Sequence, residues 1–243
     1  MIRPIILALQ FWTGDRGAMI RNAKRIADNE PKFRDDVEFC FVTRRGVEHD
    51  GAAIEHVSKK FKVTQFTSNR FGVGWPHACN ETWCELMQES FRRVRSGQWA
   101  NAKAIFTFEP DCIPVHPLWL DKLHEEWTAT EQSGKWMTGA VSPHGHDPED
   151  LHMNGNGLFH PNLFHFIPQI TGCPANAAWD VHFRKYFEGH WRPGSWIANL
   201  YYGREVSTES FQSLVAGGCV AVHGVKDLST EQFADSVLRK SPV

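Results

Sequence analysis

The chain has 243 residues, 42% of them hydrophobic, and sets 26 basic against 28 acidic side chains for a net charge of −2. A chain of this length and apolar content can bury a sizeable core. Its charge balance excludes bulk attraction to nucleic acid or to an anionic membrane and leaves only a local patch for such a role.

The opening apolar run, Ile5 to Leu9, follows Pro4 and ends at the turn-like Thr13-Gly14-Asp15. It reads as a first strand rather than a leader peptide. No apolar run approaches the ~20 residues of a membrane span. Six cysteines, at positions 40, 79, 84, 112, 173 and 219, form no CxxC pair. In a chain of this size they read as reduced thiols of a cytoplasmic protein.

A helix is expected from Ala18 to Asn29, with Met19, Ala23, Ile26 and Ala27 on one face and Arg21, Lys24 and Arg25 on another. Val37–Val42 and Lys62–Phe66 read as the second and third strands, separated by a helix over Ala52–Lys60. Glu81–Arg95 is a further helix, and Lys103–Phe108 a strand that runs into Glu109-Pro110-Asp111. Strands separated by helices imply crossover connections and a mainly parallel sheet. A helix over Leu118–Glu131 and a strand over Trp136–Val141 continue the pattern, which then loosens. His144–Leu151 reads as a polar loop, Met153–Phe159 as a Gly- and Asn-rich segment, and Cys173–Tyr202 as an aromatic stretch of irregular helical character. The expectation is one α/β domain, with a regular nucleotide-binding half over residues 1–115 and an irregular second half over residues 116–243.

Four elements carry chemistry. Two carboxylates two residues apart, Glu109 and Asp111, follow an apolar parallel strand, where α/β sheets open a ligand crevice at their carboxyl ends. Hard oxygen ligands of this kind suit Mg²⁺ or Mn²⁺. Asn154-Gly-Asn156-Gly157 could bring backbone close to a ligand, or could be an ordinary Asn-Gly turn. Asp180 follows Trp179, and an indole would desolvate the carboxylate and make it a stronger base. Alternatively it caps a helix over Val181–Phe187. His223 ends a late apolar strand before Gly224 and could be a ligand or a packed core residue.

Taken in order, the segment from Gly72 to Asn80, the following helix and the strand ending in Glu-x-Asp resemble the GT-A glycosyltransferases, a Rossmann-related fold of a mostly parallel sheet flanked by helices. Glu109-Pro110-Asp111 stands where that family carries D-x-D, a departure at the first position. The resemblance runs from about Ile5 to His223. It implies a nucleotide-sugar donor, by default a UDP-sugar, and Mn²⁺ or Mg²⁺ held by Glu109, Asp111 and His223. It implies a catalytic base at Asp180, weakly favouring inversion. It places Trp12, Thr13, Asp15 and Arg44 around the nucleoside, and Asn80, Glu109, Asn154 and Asn156 on the donor. The acceptor hydroxyl could belong to a glycan, a small molecule or a hydroxymethylated DNA base. For the last, Arg92, Arg93, Arg95 and Lys103 supply at most a small basic edge.

Two rival readings carry their own residues. His144, His146 and Asp147, with His152, His160 and His165, could gather zinc for hydrolysis, although Pro148 occupies the position where the familiar H-x-H-x-D-H pattern requires Asp. Trp75, Trp83, Trp119, Trp127, Trp179, Trp191 and Trp196 could line a non-catalytic carbohydrate-binding module, which would be mostly β. A dinucleotide fold is excluded because Gly72-Val73-Gly74-Trp75-Pro76-His77 lacks the third glycine of G-x-G-x-x-G.

Overall fold

Continuous apolar runs make strands that are covered on both faces. All five residues from Ile5 to Leu9 are buried, as are all five from Ala104 to Phe108. These two strands lie side by side at the middle of the sheet. A computed structural model of the protein describes residues 3–70, 72–144, 147–172, 175–200, 208–226 and 228–240.

In chain order the elements are β1 (Ile5–Gln10), a 3-10 turn (Thr13–Asp15), α1 (Arg16–Asp28), β2 (Arg34–Arg44), α2 (Gly51–Ser58), β3 (Phe61–Ser68), α3 (His77–Arg95) and β4 (Ala104–Phe108). The two-residue β5 (Ile113–Pro114), α4 (Trp119–Gln132), β6 (Met137–His144) and β7 (Asp147–Phe159) follow. Three short helices come next, α5 (Leu163–Phe166), α6 (Trp179–His182) and α7 (Arg184–Phe187). The chain ends with β8 (Trp191–Pro193), β9 (Ile197–Asn199), α8 (Thr208–Ala216), β10 (Ala221–His223) and α9 (Leu228–Lys240).

The main sheet has the order β3-β2-β1-β4-β7-β6-β8. β3, β2, β1 and β4 run parallel, as crossover helices require. β7 joins β4 antiparallel and forms a long hairpin with β6, so both halves of the chain supply strands to one sheet. Alternate residues of each strand feed opposite cores. Leu7, Leu9, Phe39, Phe41, Phe106 and Phe108 pack with Met19, Ile26 and Trp119 on one face. Ile6, Ala8, Cys40, Val42 and Ile105 pack with Trp83, Met87 and Trp179 on the other.

A second sheet, β5-β10-β9, stands beyond the end of β4 over a third core that includes Val115, Phe211 and Val222. It decides where the late histidine goes. The antiparallel register pairs Val222 with Ile113. The next residue, His223, therefore falls beside the segment that has just left β4.

Three sequence expectations need correction. Residues 147–151 are strand rather than loop, and Asn154–Gly157 lies inside β7 rather than at a turn. Close packing explains the glycines there: a Cβ on Gly155 would stand 3.0 Å from the Trp179 ring, and one on Gly157 3.0 Å from the Thr138 carbonyl oxygen. The stretch after residue 175 contains two four-residue helices and two three-residue strands, too short for any periodicity to register. Cys40, Cys79, Cys112 and Cys219 are free, but Cys84 is disulfide-bonded. Such bonds persist in oxidising compartments, so the cysteines no longer argue for a reducing one. Cys173, His146 and Tyr202 lie outside the described residues.

Among the described residues no helix is long and apolar enough to cross a membrane. Eight of the ten tryptophans are at least partly buried, and only Trp12 and Trp75 are strongly exposed. Trp83 and Trp179 stack with centroids 3.5 Å apart and 9° between planes, which ties α6 to α3. Trp83→Ala is expected to destabilise the fold by about 3–5 kcal/mol, the range for truncating a large buried aromatic. Chemical denaturation would measure it, and a loss under ~1 kcal/mol would mean that this face of the core repacks freely.

Candidate active site

At the carboxyl end of β4 the chain leaves the main sheet through Glu109, Pro110 and Asp111 and enters β5. The backbone N–H of Glu109 donates to Asn156 Oδ1 at 2.8 Å. One residue pair earlier, Thr107 Oγ1 donates to the Gly155 carbonyl at 2.8 Å. Asn154 Oδ1 in turn accepts from the Asn156 backbone N–H at 3.0 Å and its side-chain amide at 3.2 Å. The two asparagines thus stitch β7 to the end of β4 and fix where Glu109 begins.

His223 Nε2 lies 3.1 Å from Glu109 Oε2 and 3.6 Å from Asp111 Oδ1. Its Nδ1 lies 3.1 Å from Asn199 Oδ1, across the β9–β10 pair, which orients the ring. One ligand atom from each of Glu109, Asp111 and His223 falls within 4.8 Å of the others. Among the described residues this is the one such cluster of three. The Lys226 ammonium forms an ion pair with Asp111 Oδ2.

Charge competes with burial here. Burial pushes the Glu109 carboxyl up, but the His223 hydrogen bond and the His223 and Lys226 charges outweigh it and hold the group below its ordinary value. Burial would lower His223, yet its bond to Glu109 and the charges of Asp111 and Glu109 raise it. Asp15 is raised, first by burial and then by Asp111 and Glu109, with Lys226 opposing. Three carboxylates therefore share one ammonium and one imidazole, an excess of negative charge that a cation would relieve. Two carboxylates with one imidazole suit Mn²⁺ in particular. Cys79 lies nearby, and burial pushes its thiol up to about 11.

Two cavities meet at Glu109. The first, about 260 Å³, is lined by Trp12, Asp15, Arg44, Trp75 and Glu109 among others. The Arg44 guanidinium lies 5.7 Å from the Trp12 ring centre, within cation–π range. Arg44 also donates to the Gly72 carbonyl at 3.0 Å, which holds the loop before α3. The second cavity, about 590 Å³, is lined by Asn80, Asn154, Asn156, Asp180 and His223. Gln10, Trp75, Cys79, Glu109 and Lys226 border both.

Most of the residues singled out in the sequence therefore converge. Thr13 is exposed and lines neither cavity, and Asp111 is buried behind Glu109. Asn80 reaches the second cavity with its amide already engaged: Nδ2 donates to Ala177 O at 2.7 Å and Oδ1 accepts from Trp179 N at 2.8 Å. It anchors the segment that carries Asp180. Asp180 is not a helix cap, because α6 starts one residue earlier with Ala178 at its N-cap. Burial raises its carboxyl, against the His152 charge and hydrogen bonds from backbone N–H groups. Lys226 and Gln10, which line the cavities, were not singled out in the sequence, and Trp75 was singled out only for the carbohydrate-binding reading. Lys226 lies three residues after His223, so an ammonium so close to a suspected ligand was the available signal.

Among the described residues the histidines of the hydrolase reading form no metal-binding cluster. His160 accepts from the Asn162 N–H at 3.0 Å and packs on Phe166, while His165 stacks on Phe91 at 5.6 Å. The side chains of His144, His146 and Asp147 lie outside the described residues. The basic edge is also engaged: Arg92 and Arg93 pair with Glu89, and Lys103 donates to Thr128 Oγ1 at 2.7 Å.

No family model matches the chain, and no curated protein matches it. Solved structures do. Mouse xyloside xylosyltransferase 1 in its apo form superposes with a TM-score of 0.52 at 13% identity, covering 91% of this chain and 97% of that one. An active-site mutant of LgtC gives 0.51 at 11% identity over 98% and 97%. The glycosyltransferase GlyE of Streptococcus pneumoniae TIGR4 gives 0.52 at 7% identity over 98% and 62%. At such identities the likeness establishes the fold, and the chain has the GT-A fold.

The raised Asp180 makes a sign-definite prediction. A carboxyl raised above its ordinary value of 3.8 binds its proton more tightly in the native state. Stability then falls as pH rises through that window, and the cost persists above it. Asp180→Asn removes this cost, so the variant is expected to melt at or above the wild-type temperature near pH 7, with the gain fading toward about pH 3. Thermal melts across that range test it. A variant that melts well below wild type by a constant margin would make Asp180 a structural residue instead.

Proposed function

We propose that this chain transfers a sugar from a nucleotide diphosphate, by default a UDP-sugar, to a hydroxyl acceptor in a metal-dependent reaction. The observation that carries the reading is the Glu109–Asp111–His223 cluster standing where the two cavities meet. One cavity offers an indole, a guanidinium and a carboxylate, a set suited to a nucleoside. The other offers asparagine amides and a desolvated carboxylate, a set suited to sugar hydroxyls and proton removal.

In this reading Trp12 and Arg44 flank the base, and Asp15 accepts from ribose hydroxyls. Asp111 and His223 hold a divalent ion, with Glu109 as third ligand or reaching the ribose instead. When bound, that ion supplies Lewis-acid stabilisation of the leaving diphosphate, worth several kcal/mol. Lys226 places its ammonium on the same side and offers a second cation to the phosphate oxygens. Asn154 and Asn156 keep β7 against β4, so that the sugar site and the carboxylates stay in register. Asp180 takes the proton from the acceptor oxygen as that oxygen bonds to the anomeric carbon. Burial keeps this carboxylate basic. A direct displacement of this kind inverts the anomeric centre.

The experiment is donor turnover during Mn²⁺ titration of wild type, Asp111→Asn, Glu109→Gln and His223→Ala. Asp111→Asn is expected to abolish transfer while the fold survives, and Glu109→Gln to be milder. His223→Ala should weaken the preference for Mn²⁺ over Mg²⁺. Near wild-type turnover of Asp111→Asn at every metal concentration would overturn the site. Asp180→Asn is expected to keep donor affinity and to lose about 10²–10⁴ in turnover rate. Retention of the anomeric configuration in the product would remove Asp180 from the base role.

A further inference from the structure

Two apolar positions on either side of Gly74 break the usual rule of burial. Val73 is 82% exposed and Trp75 80%, the highest values among the large hydrophobics of the described residues. Their loop is nevertheless held on both sides. The Gly72 N–H donates to the Glu81 carboxylate, and the Gly72 carbonyl accepts from Arg44 at 3.0 Å. Two residues further on, the Gly74 carbonyl accepts from the Ala78 N–H at 2.8 Å, and Pro76 O accepts from the Asn80 N–H at 2.9 Å. Gly72 has no room for a side chain, since a Cβ there would stand 2.8 Å from the Ala78 Cα. The backbone is fixed, and the indole projects from it.

The position of that indole is specific. Trp75 borders both cavities, whereas Trp12 borders only the smaller one. The nucleoside cavity thus has its own aromatic wall, and Trp75 marks the boundary with the larger one. There it shares the lining with Asn154, Asn156, Asp180 and a second, largely buried indole, Trp179. A pyranose needs this combination. Its C–H face is weakly positive and lies well on the negative face of an aromatic ring, while its rim of hydroxyls needs amide and carboxylate partners.

We propose that Trp75 is the stacking platform for the acceptor sugar, and hence that the acceptor presents a pyranose ring beside its reacting hydroxyl. The proposal rests on the transferase reading for the word acceptor, but the sugar contact itself does not depend on turnover. Losing the indole removes the stacked face and leaves the hydroxyl partners, so affinity for a pyranoside falls about tenfold.

The test uses wild type, Trp75→Ala and Trp75→Phe, each checked for an unchanged circular dichroism spectrum. Saturation-transfer NMR with the methyl glycosides of glucose, galactose and xylose is run with and without UDP and Mn²⁺. UDP and GDP affinities are measured in parallel by calorimetry. The expected result is transfer from protein aromatic protons to the ring protons of at least one glycoside in wild type. That signal is lost in Trp75→Ala and largely kept in Trp75→Phe, while UDP affinity, which Trp12 and Arg44 also support, falls by a smaller factor in Trp75→Ala. Identical glycoside signals in wild type and Trp75→Ala, or none in wild type, would overturn the proposal. So would a fall in UDP affinity in Trp75→Ala with the glycoside signal intact, which would make the indole part of the nucleotide site. A Trp75-dependent glycoside signal in a protein that binds neither UDP nor GDP with Mn²⁺ would sink the transferase reading and leave the sugar platform standing.

Discussion

Three carboxylates gathered in a partly buried site are costly unless something positive answers them. Asp15, Glu109 and Asp111 face one another across the end of β4, and the chain supplies His223 and Lys226 against them. Much of the surrounding architecture serves this balance. β4 delivers the carboxylates, the asparagines of β7 fix their starting point, and the small sheet exists at the place where β10 can set His223 beside them. His223 and Glu109 are 114 residues apart in sequence and 3.1 Å apart in space. Pairing of that range is expensive in chain entropy, so the β5–β10 register is a constraint the fold has had to satisfy.

The balance is also incomplete, which gives the site its chemical character. One ammonium and one imidazole do not neutralise three carboxylates, and the surplus suits a divalent cation and then the diphosphate that such a cation attracts. The same logic separates the cavities. Glu109 and Lys226 stand where the two meet, Trp12, Arg44 and Asp15 stand on one side, and Asn154, Asn156, Asp180 and His223 on the other. The tryptophans divide in parallel. Trp83, Trp119, Trp127 and Trp196 are structural and fully buried, whereas Trp12, Trp75 and Trp179 line the cavities.

The parallel half of the fold was legible because its signals are local. Ile5–Leu9 and Lys103–Phe108 are unbroken apolar runs, and α1 presents Met19, Ala23, Ile26 and Ala27 on one stripe, all of them buried. Glu109 and Asp111 could be found because they follow such a run directly. The hairpin of β6 and β7 was harder: residues 147–151 are polar, and nothing within them specifies the pairing partner. Asn154 and Asn156 were singled out for ligand contact, and their amides turn out to bond the backbone as well. Asn80 is the same case in stronger form, a helix residue whose amide is fully occupied in holding residues 177 and 179. Composition cannot tell such a positioning amide from a binding one. Nor could it reveal a disulfide at Cys84, because no CxxC spacing marks it.

The central claim is that the carboxylate cluster binds a nucleoside diphosphate through a divalent ion. Calorimetric titration of UDP and of GDP into the wild-type protein, once with Mn²⁺ and once with a chelator, tests it most directly. The account predicts binding of at least one nucleotide with Mn²⁺ and none with the chelator, because bare carboxylates repel a diphosphate. Equal affinity under both conditions would contradict it.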